Sequence, residues 1–111
     1  MVASLDPHKV AQSFDALVNL DADALEAWLD TPESRHVGSK IGDGESVGHA
    51  AGRRIVEILR TPVADRSDDD VRHMRKVVGF IRRHRAQEPA NMVTSRWRWS
   101  LMNWGHDPLQ D

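Results

Sequence analysis

The densest chemistry in this 111-residue sequence lies between Val71 and Gln87, where Arg72, Arg75, Lys76, Arg82, Arg83 and Arg85 occur without a single acid. At 100° per residue, Arg72, Lys76 and Arg83 fall within about 40° of one another, and Arg75 and Arg82 flank them. Gly79 belongs to the same side and would permit a close approach. Cations in such a line suit a phosphate backbone, whose neutralisation releases condensed counterions. The plainer alternative is a solvated helix face whose arginines pair with acids of the N-terminal half. A second pattern is the alternation Arg96, Trp97, Arg98, Trp99. Cations interleaved with aromatics suit single-stranded nucleic acid, where each base stacked on a ring contributes about 1 to 3 kcal/mol. Trp97, however, shares a face with Leu101 and Trp104 and fits a core stripe, which leaves Trp99 on an otherwise polar side.

Other candidate chemistries are weaker. Ser39 to Ser46, SKIGDGES, is a glycine-containing loop feeding a helix N-terminus, where free N–H groups and Lys40 could meet an anion. It is not a Walker loop, because Lys-Ser or Lys-Thr does not follow its last glycine, and Asp43 and Glu45 repel phosphate. The six histidines never fall at i, i+4 or in an HxH pair, so no metal signature appears. His106 beside Asp107 reads as part of a C-terminal turn. No nucleophile, base and orienting group can be assembled from these spacings, and we expect neither an enzyme nor a cofactor. Arg54 projects from the apolar arc of its helix, where a guanidinium must be paired or reach solvent. We expect a structural ion pair, with an acid of the first or second helix as the first choice of partner.

The elements that position these groups are helical. Asp6 and Pro7 read as N-cap and first helical residue of a segment running to about Asn19, with Val10, Phe14, Leu17 and Val18 as its stripe. Asp21 caps a short second helix carrying Leu25, Trp28 and Leu29, which Thr31-Pro32 ends. Residues 31–45 contain three glycines and almost no periodicity, and read as a long loop. From Ser46 to about Arg60 runs the most apolar helix, near 46–60, where Gly48 and Gly52 sit four apart and leave a notch for a neighbouring backbone. Ser67 and Asp70 form a capping box for a helix from Asp68 to about Gln87, with Val71, Met74, Val77, Val78 and Ile81 opposite the basic side. A linker at 88–94 leads to a helix over SRWRWSLMNW, with Thr94 as cap and Gly105 as a left-handed stop.

Three segments, GDGESVGHAAGRRIVEIL, SDDDVRHMRKVVGFI and SRWRWSLMNWGHDP, together resemble a small uncharacterised family, domain of unknown function 3140. The similarity covers nearly the whole chain, and the Trp-Gly-His-Asp-Pro ending is its most distinctive part. The resemblance implies bacterial or fungal relatives, some labelled DNA-binding protein, and brings no established activity or catalytic residue.

Composition narrows the classes further. Without cysteine there is no disulfide, thiol catalysis or cysteine-ligated metal, in keeping with a cytoplasmic protein. No apolar run approaches the roughly 20 residues of a membrane span, and no signal peptide is visible at the N-terminus. Net charge is −2, but residues 1–45 hold nine acids against three bases and residues 46–111 hold twelve bases against eight acids. Such asymmetry fits either a basic face for an anionic partner or two halves that attract each other. We expect one all-α domain over residues 1–111, a compact bundle of about five helices in which the basic helix and the tryptophan helix pack against the central one. The leading functional expectation is largely electrostatic DNA or other nucleic-acid binding through Arg72, Arg75, Lys76, Arg82 and Arg83, with Arg96, Arg98 and Trp99 adding to it. The alternative is a protein-interaction module or homodimer, contacting through the Trp-rich C-terminal helix and the Gly48/Gly52 notch.

Overall fold

The computed structural model describes residues 6–37, 45–87 and 96–110. Among them are six α-helices: α1 (Pro7–Leu17), α2 (Ala22–Leu29), α3 (Pro32–His36), α4 (Val47–Arg60), α5 (Asp68–Arg85) and α6 (Arg96–Asn103). A single 3-10 turn, Val63–Asp65, joins α4 to α5. The caps follow the sequence closely. The carboxylate of Asp6 accepts from His8 N–H, that of Asp21 from Ala24 N–H, and the Ser46 hydroxyl from His49 N–H. Ser67 and Asp70 close a reciprocal capping box at α5, satisfying two of the N–H groups that a helix start leaves unpaired.

The fold is all-α, as the periodicity indicates, but it holds one helix more than expected. Part of the long loop, Pro32–His36, is the helix α3, started by Thr31 Oγ1 accepting from Ser34 N–H at 3.2 Å. Thr31-Pro32 both ends α2 and begins α3, because proline is as suited to the first position of a helix as it is hostile to an interior. Five residues are too few to register a period. Residues 38–44 of that loop, including Lys40, lie outside the described residues, as do the 88–94 linker and the Thr94 cap.

The core joins two helix pairs, α1 with α5 and α2 with α4, and α6 crosses α2, α3, α4 and α5. Phe14, Leu25, Ile55, Ile58, Met74, Val77, Ile81 and Leu101 are all essentially inaccessible, one or more from each of α1, α2, α4, α5 and α6. Burying a side chain of this kind contributes about 1.5 to 3 kcal/mol. The arrangement corrects one expectation: α4 carries α2 and α6, whereas α5 packs mainly on α1. Where α4 meets α5 the contact includes polar pairs, with Arg54 on Asp70 at 2.7 Å and His73 Nε2 toward the Ala51 carbonyl at 3.3 Å. Arg54 is therefore ion-paired, but its partner is the capping-box acid of α5 rather than an acid of α1 or α2.

The glycines of α4 have a packing reason. A methyl group at Gly52 would stand 2.4 Å from the Asn103 carbonyl oxygen, and one at Gly48 3.1 Å from Trp104 Nε1. The end of α6 fills the notch from within the chain. The notch is thus not open to a second molecule.

Trp-Gly-His-Asp-Pro is the device that fixes this end. Gly105 takes φ +83° and, with His106, closes a Schellman motif through Gly105 N–H to Met102 O and His106 N–H to Leu101 O. Trp104 stacks on Phe80 with ring centroids 4.2 Å apart. His106 Nδ1 donates to the Leu17 carbonyl at 2.5 Å, and Asn19 brackets Asp107 through both its amide atoms. Burial lowers the His106 pKa, so the ring is neutral with its Nε2 lone pair buried.

Candidate nucleic-acid interface

Eighteen residues of α5 present two unlike faces. Met74, Val77, Val78 and Ile81 enter the core, which turns Arg72, Arg75, Lys76, Arg82 and Arg83 outward. Part of this charge has a local explanation. Arg82, Arg83 and Arg85 occupy the last turn, where cations complement the helix dipole by about 0.3 to 1 kcal/mol each. Arg72, Arg75 and Lys76 stand in the first half of the helix and gain nothing from it.

Salt bridges decide between a paired and an unpaired face. Four acids of the N-terminal half are engaged elsewhere: Asp23 and Glu26 hold Arg60, Asp30 meets Arg35, and Glu45 holds Arg53 and His49. On α5, Arg72 meets Asp69 of its own helix at 2.7 Å, with both side chains mostly exposed, a pair of little energetic weight. Arg82 donates to Ser13 Oγ of α1 at 3.2 Å. Arg75, Lys76 and Arg83 make no hydrogen bond or ion pair among the described residues. Among the described residues, ion pairs between the two halves are made by Arg60 with α2 and by Arg53 with Glu45, and none reaches α5.

Two adjoining depressions follow this face. The first, about 320 Å³, is lined by Arg72, Arg75, Lys76, Gly79 and Arg83. The second, about 220 Å³, lies between α1 and α5 and brings in Asp6, Lys9, Val10, Ser13, Val78 and Arg82, with Arg75 common to both. Lys9 and Ser13 escape the sequence reading, since only the pairing of α1 with α5 carries them to the basic face. From Arg72 to Arg83 the helix rises about 16 Å, nearly five phosphate steps of a duplex strand at about 3.4 Å each.

The α6 candidates are placed differently. Arg98 forms a bidentate pair with Asp107, Nε to Oδ1 at 3.1 Å and Nη2 to Oδ2 at 3.0 Å, and both side chains are largely buried. Burial alone would raise the Asp107 pKa, but Arg98 and the Leu109 amide outweigh it and hold the carboxyl below its ordinary range. Arg96 is exposed and donates to the His36 carbonyl at 3.1 Å. Trp97 donates its indole N–H to the His84 carbonyl at 2.7 Å and stands 6.4 Å from the His84 ring. Trp99 is half-buried and lines neither depression.

A further concavity, about 570 Å³, lies between α2 and α4. Its three arginines are already ion-paired, Arg54 with Asp70, Arg53 with Glu45 and Arg60 with Glu26. His49 spans Glu45 and, at 2.7 Å, the Leu29 carbonyl, so both ring nitrogens are occupied. Among the described residues no group of three or more histidines and acids is placed to hold a metal ion, and no helix is long and apolar enough to cross a membrane.

Comparison with known proteins returns one family model, described as protein of unknown function (DUF3140), which matches residues 13–102. No curated protein and no solved structure matches the chain.

Proposed function

We propose, for a chain that belongs to the DUF3140 family of proteins of unknown function, that the solvent face of α5 binds the phosphate backbone of nucleic acid. One observation carries this reading: Arg75, Lys76 and Arg83 line a surface depression with no acid partner among the described residues, while Asp23, Glu26, Asp30 and Glu45 of the N-terminal half pair with other cations. Arg72, held loosely by Asp69, and Arg82, beside Ser13, extend the line to either side. Binding of this kind is electrostatic, insensitive to base sequence and steeply weakened by salt. Arg96 and Trp99 stand outside the line and contribute at most at its margin, and Arg98 is engaged by Asp107.

The test is an anisotropy titration with labelled duplex and single-stranded DNA and RNA at low and near-physiological salt. Support is an affinity on the order of micromolar at low salt, lost in the Arg75→Ala/Lys76→Ala/Arg83→Ala variant with unchanged helicity. Binding to none of the four at low salt overturns the proposal. A preference for single strands that disappears in Trp99→Phe moves the site to α6.

A further inference from the structure

Four glycines fall within the described residues, and three of them meet the body of the fold. Gly48 faces Trp104 and Asn103, Gly52 faces Asn103 and Leu29, and Gly105 adopts a left-handed φ against Val18 and Ile55. Gly79 differs. It sits mid-way along an ordinary α5, one of the worst residues for a helix interior. The three nearest atoms that a methyl group there would meet all belong to the Arg83 side chain, Nη1 at 3.0 Å, Cζ at 3.8 Å and Nη2 at 3.9 Å. Its nearest neighbour is thus a side chain of the solvent face rather than the packed body of the fold.

What the missing side chain provides is room on the solvent face. Arg83, one turn further on, lies back over Gly79, and the depression around them is completed by Arg72, Arg75 and Lys76. A methyl group would take up the floor of that depression and displace the Arg83 guanidinium outward. Without it, an anion approaches the helix axis closer by about one carbon–carbon bond, ~1.5 Å. Four cations and a glycine within three turns therefore make a recess rather than a merely charged surface.

The geometry points to Gly79 as the seat of a single phosphate group, a backbone phosphodiester in the nucleic-acid reading on which this inference rests, gripped by Arg75, Lys76 and Arg83 with Arg72 at the rim. Arg83 acts as a fork over the seat, since a guanidinium can give two parallel hydrogen bonds to phosphate oxygens. Gly79 makes no polar contact of its own. It is a positioning residue, whose role is to let both the arginine and the phosphate lie against the backbone.

Gly79→Ala separates this role from a structural one. Alanine favours the helix, so the variant melts a few degrees higher than the wild type, yet it should bind duplex DNA about five-fold more weakly, the loss of one charge-assisted contact. Pyrophosphate, titrated into isotope-labelled wild-type protein, should shift the Gly79 amide and Arg83 Nε–H signals, and the Arg83 response should shrink in Gly79→Ala. A higher melting temperature with unchanged DNA affinity and unchanged pyrophosphate response overturns the seat and leaves the basic-face reading intact. If the wild type binds no nucleic acid but the pyrophosphate response is present and alanine-sensitive, the seat stands as an anion site and the nucleic-acid reading falls. If neither ligand perturbs the protein, both fail.

Discussion

Gly52→Ala is the sharpest test of how α4 and α6 are joined. The added methyl group stands 2.4 Å from the Asn103 carbonyl oxygen and 2.8 and 3.2 Å from the two methyl carbons of Leu29. To restore a separation of about 3.5 Å, the end of α6 must retreat by about 1 Å. Asn103 is buried there and tied on the other side: Trp28 Nε1 and Ser34 Oγ donate to its side-chain oxygen at 2.7 and 2.5 Å, and its amide donates to the Ser34 carbonyl at 3.0 Å. Overpacking costs about 1 to 3 kcal/mol, and a buried hydrogen bond lost in the shift about 1 kcal/mol more. Against this, alanine gains about 1 kcal/mol of helix propensity. The net is a destabilisation of about 1 to 3 kcal/mol, a fall of roughly 4 to 13 °C in melting temperature for a domain of this size. Thermal unfolding followed by circular dichroism and tryptophan fluorescence measures it. A melting temperature equal to or above that of the wild type would show that propensity alone decides at Gly52 and refute the packing of α6 into the notch.

Two further outcomes follow from the ion pairs and histidines. Arg54→Ala removes the guanidinium that bridges α4 to the start of α5, and lowers the melting temperature by several degrees at neutral pH. Asp70 is held below the ordinary carboxylate range by the Ser67 amide first and by Arg54 second. Its contribution is present above the unfolded pKa and lost as pH falls through the folded one, so the difference between Arg54→Ala and wild type should close in acid. Equal melting temperatures at neutral pH contradict the pairing. His73, His84 and His106 all have pKa values lowered chiefly by burial, below an ordinary value of 6.5. The unfolded chain then binds more protons than the folded one as pH drops below 6.5, so stability declines from there through the folded pKa values. A melting temperature constant from pH 7.5 to 5.5 would contradict neutral, buried rings.

Much of the helical framework is legible in the sequence, because caps and periods are local properties. Asp6-Pro7, Asp21, Ser46 and the Ser67/Asp70 box each mark a helix start that the structure places there, and Gly105 marks a stop. Arg54 is recognisable as needing a partner, since a charge in an apolar arc states its own difficulty. Which acid answers it is a tertiary fact, and Asp70 looks fully employed by its capping box. The notch at Gly48 and Gly52 is equally visible, but whether a neighbouring helix or a second molecule fills it depends on where the Trp-rich helix docks. For the same reason the basic stripe of α5 can be drawn on a wheel, whereas Lys9 and Ser13 join it only once α1 lies alongside. Arg96 and Arg98 look alike in the sequence and separate only in space, one at the surface and one on Asp107.

The most direct test of the account is the salt dependence of duplex binding. If the seat formed by Arg75, Lys76 and Arg83 neutralises one phosphate and Arg72 and Arg82 one each, log Kd against log salt has a slope of about 2.7, at about 0.9 per contact. In the Arg75→Ala/Lys76→Ala/Arg83→Ala variant the slope should fall to about 1.8. An unchanged slope in that variant, or no binding by the wild type at low salt, would contradict the claim that the α5 face is the binding surface.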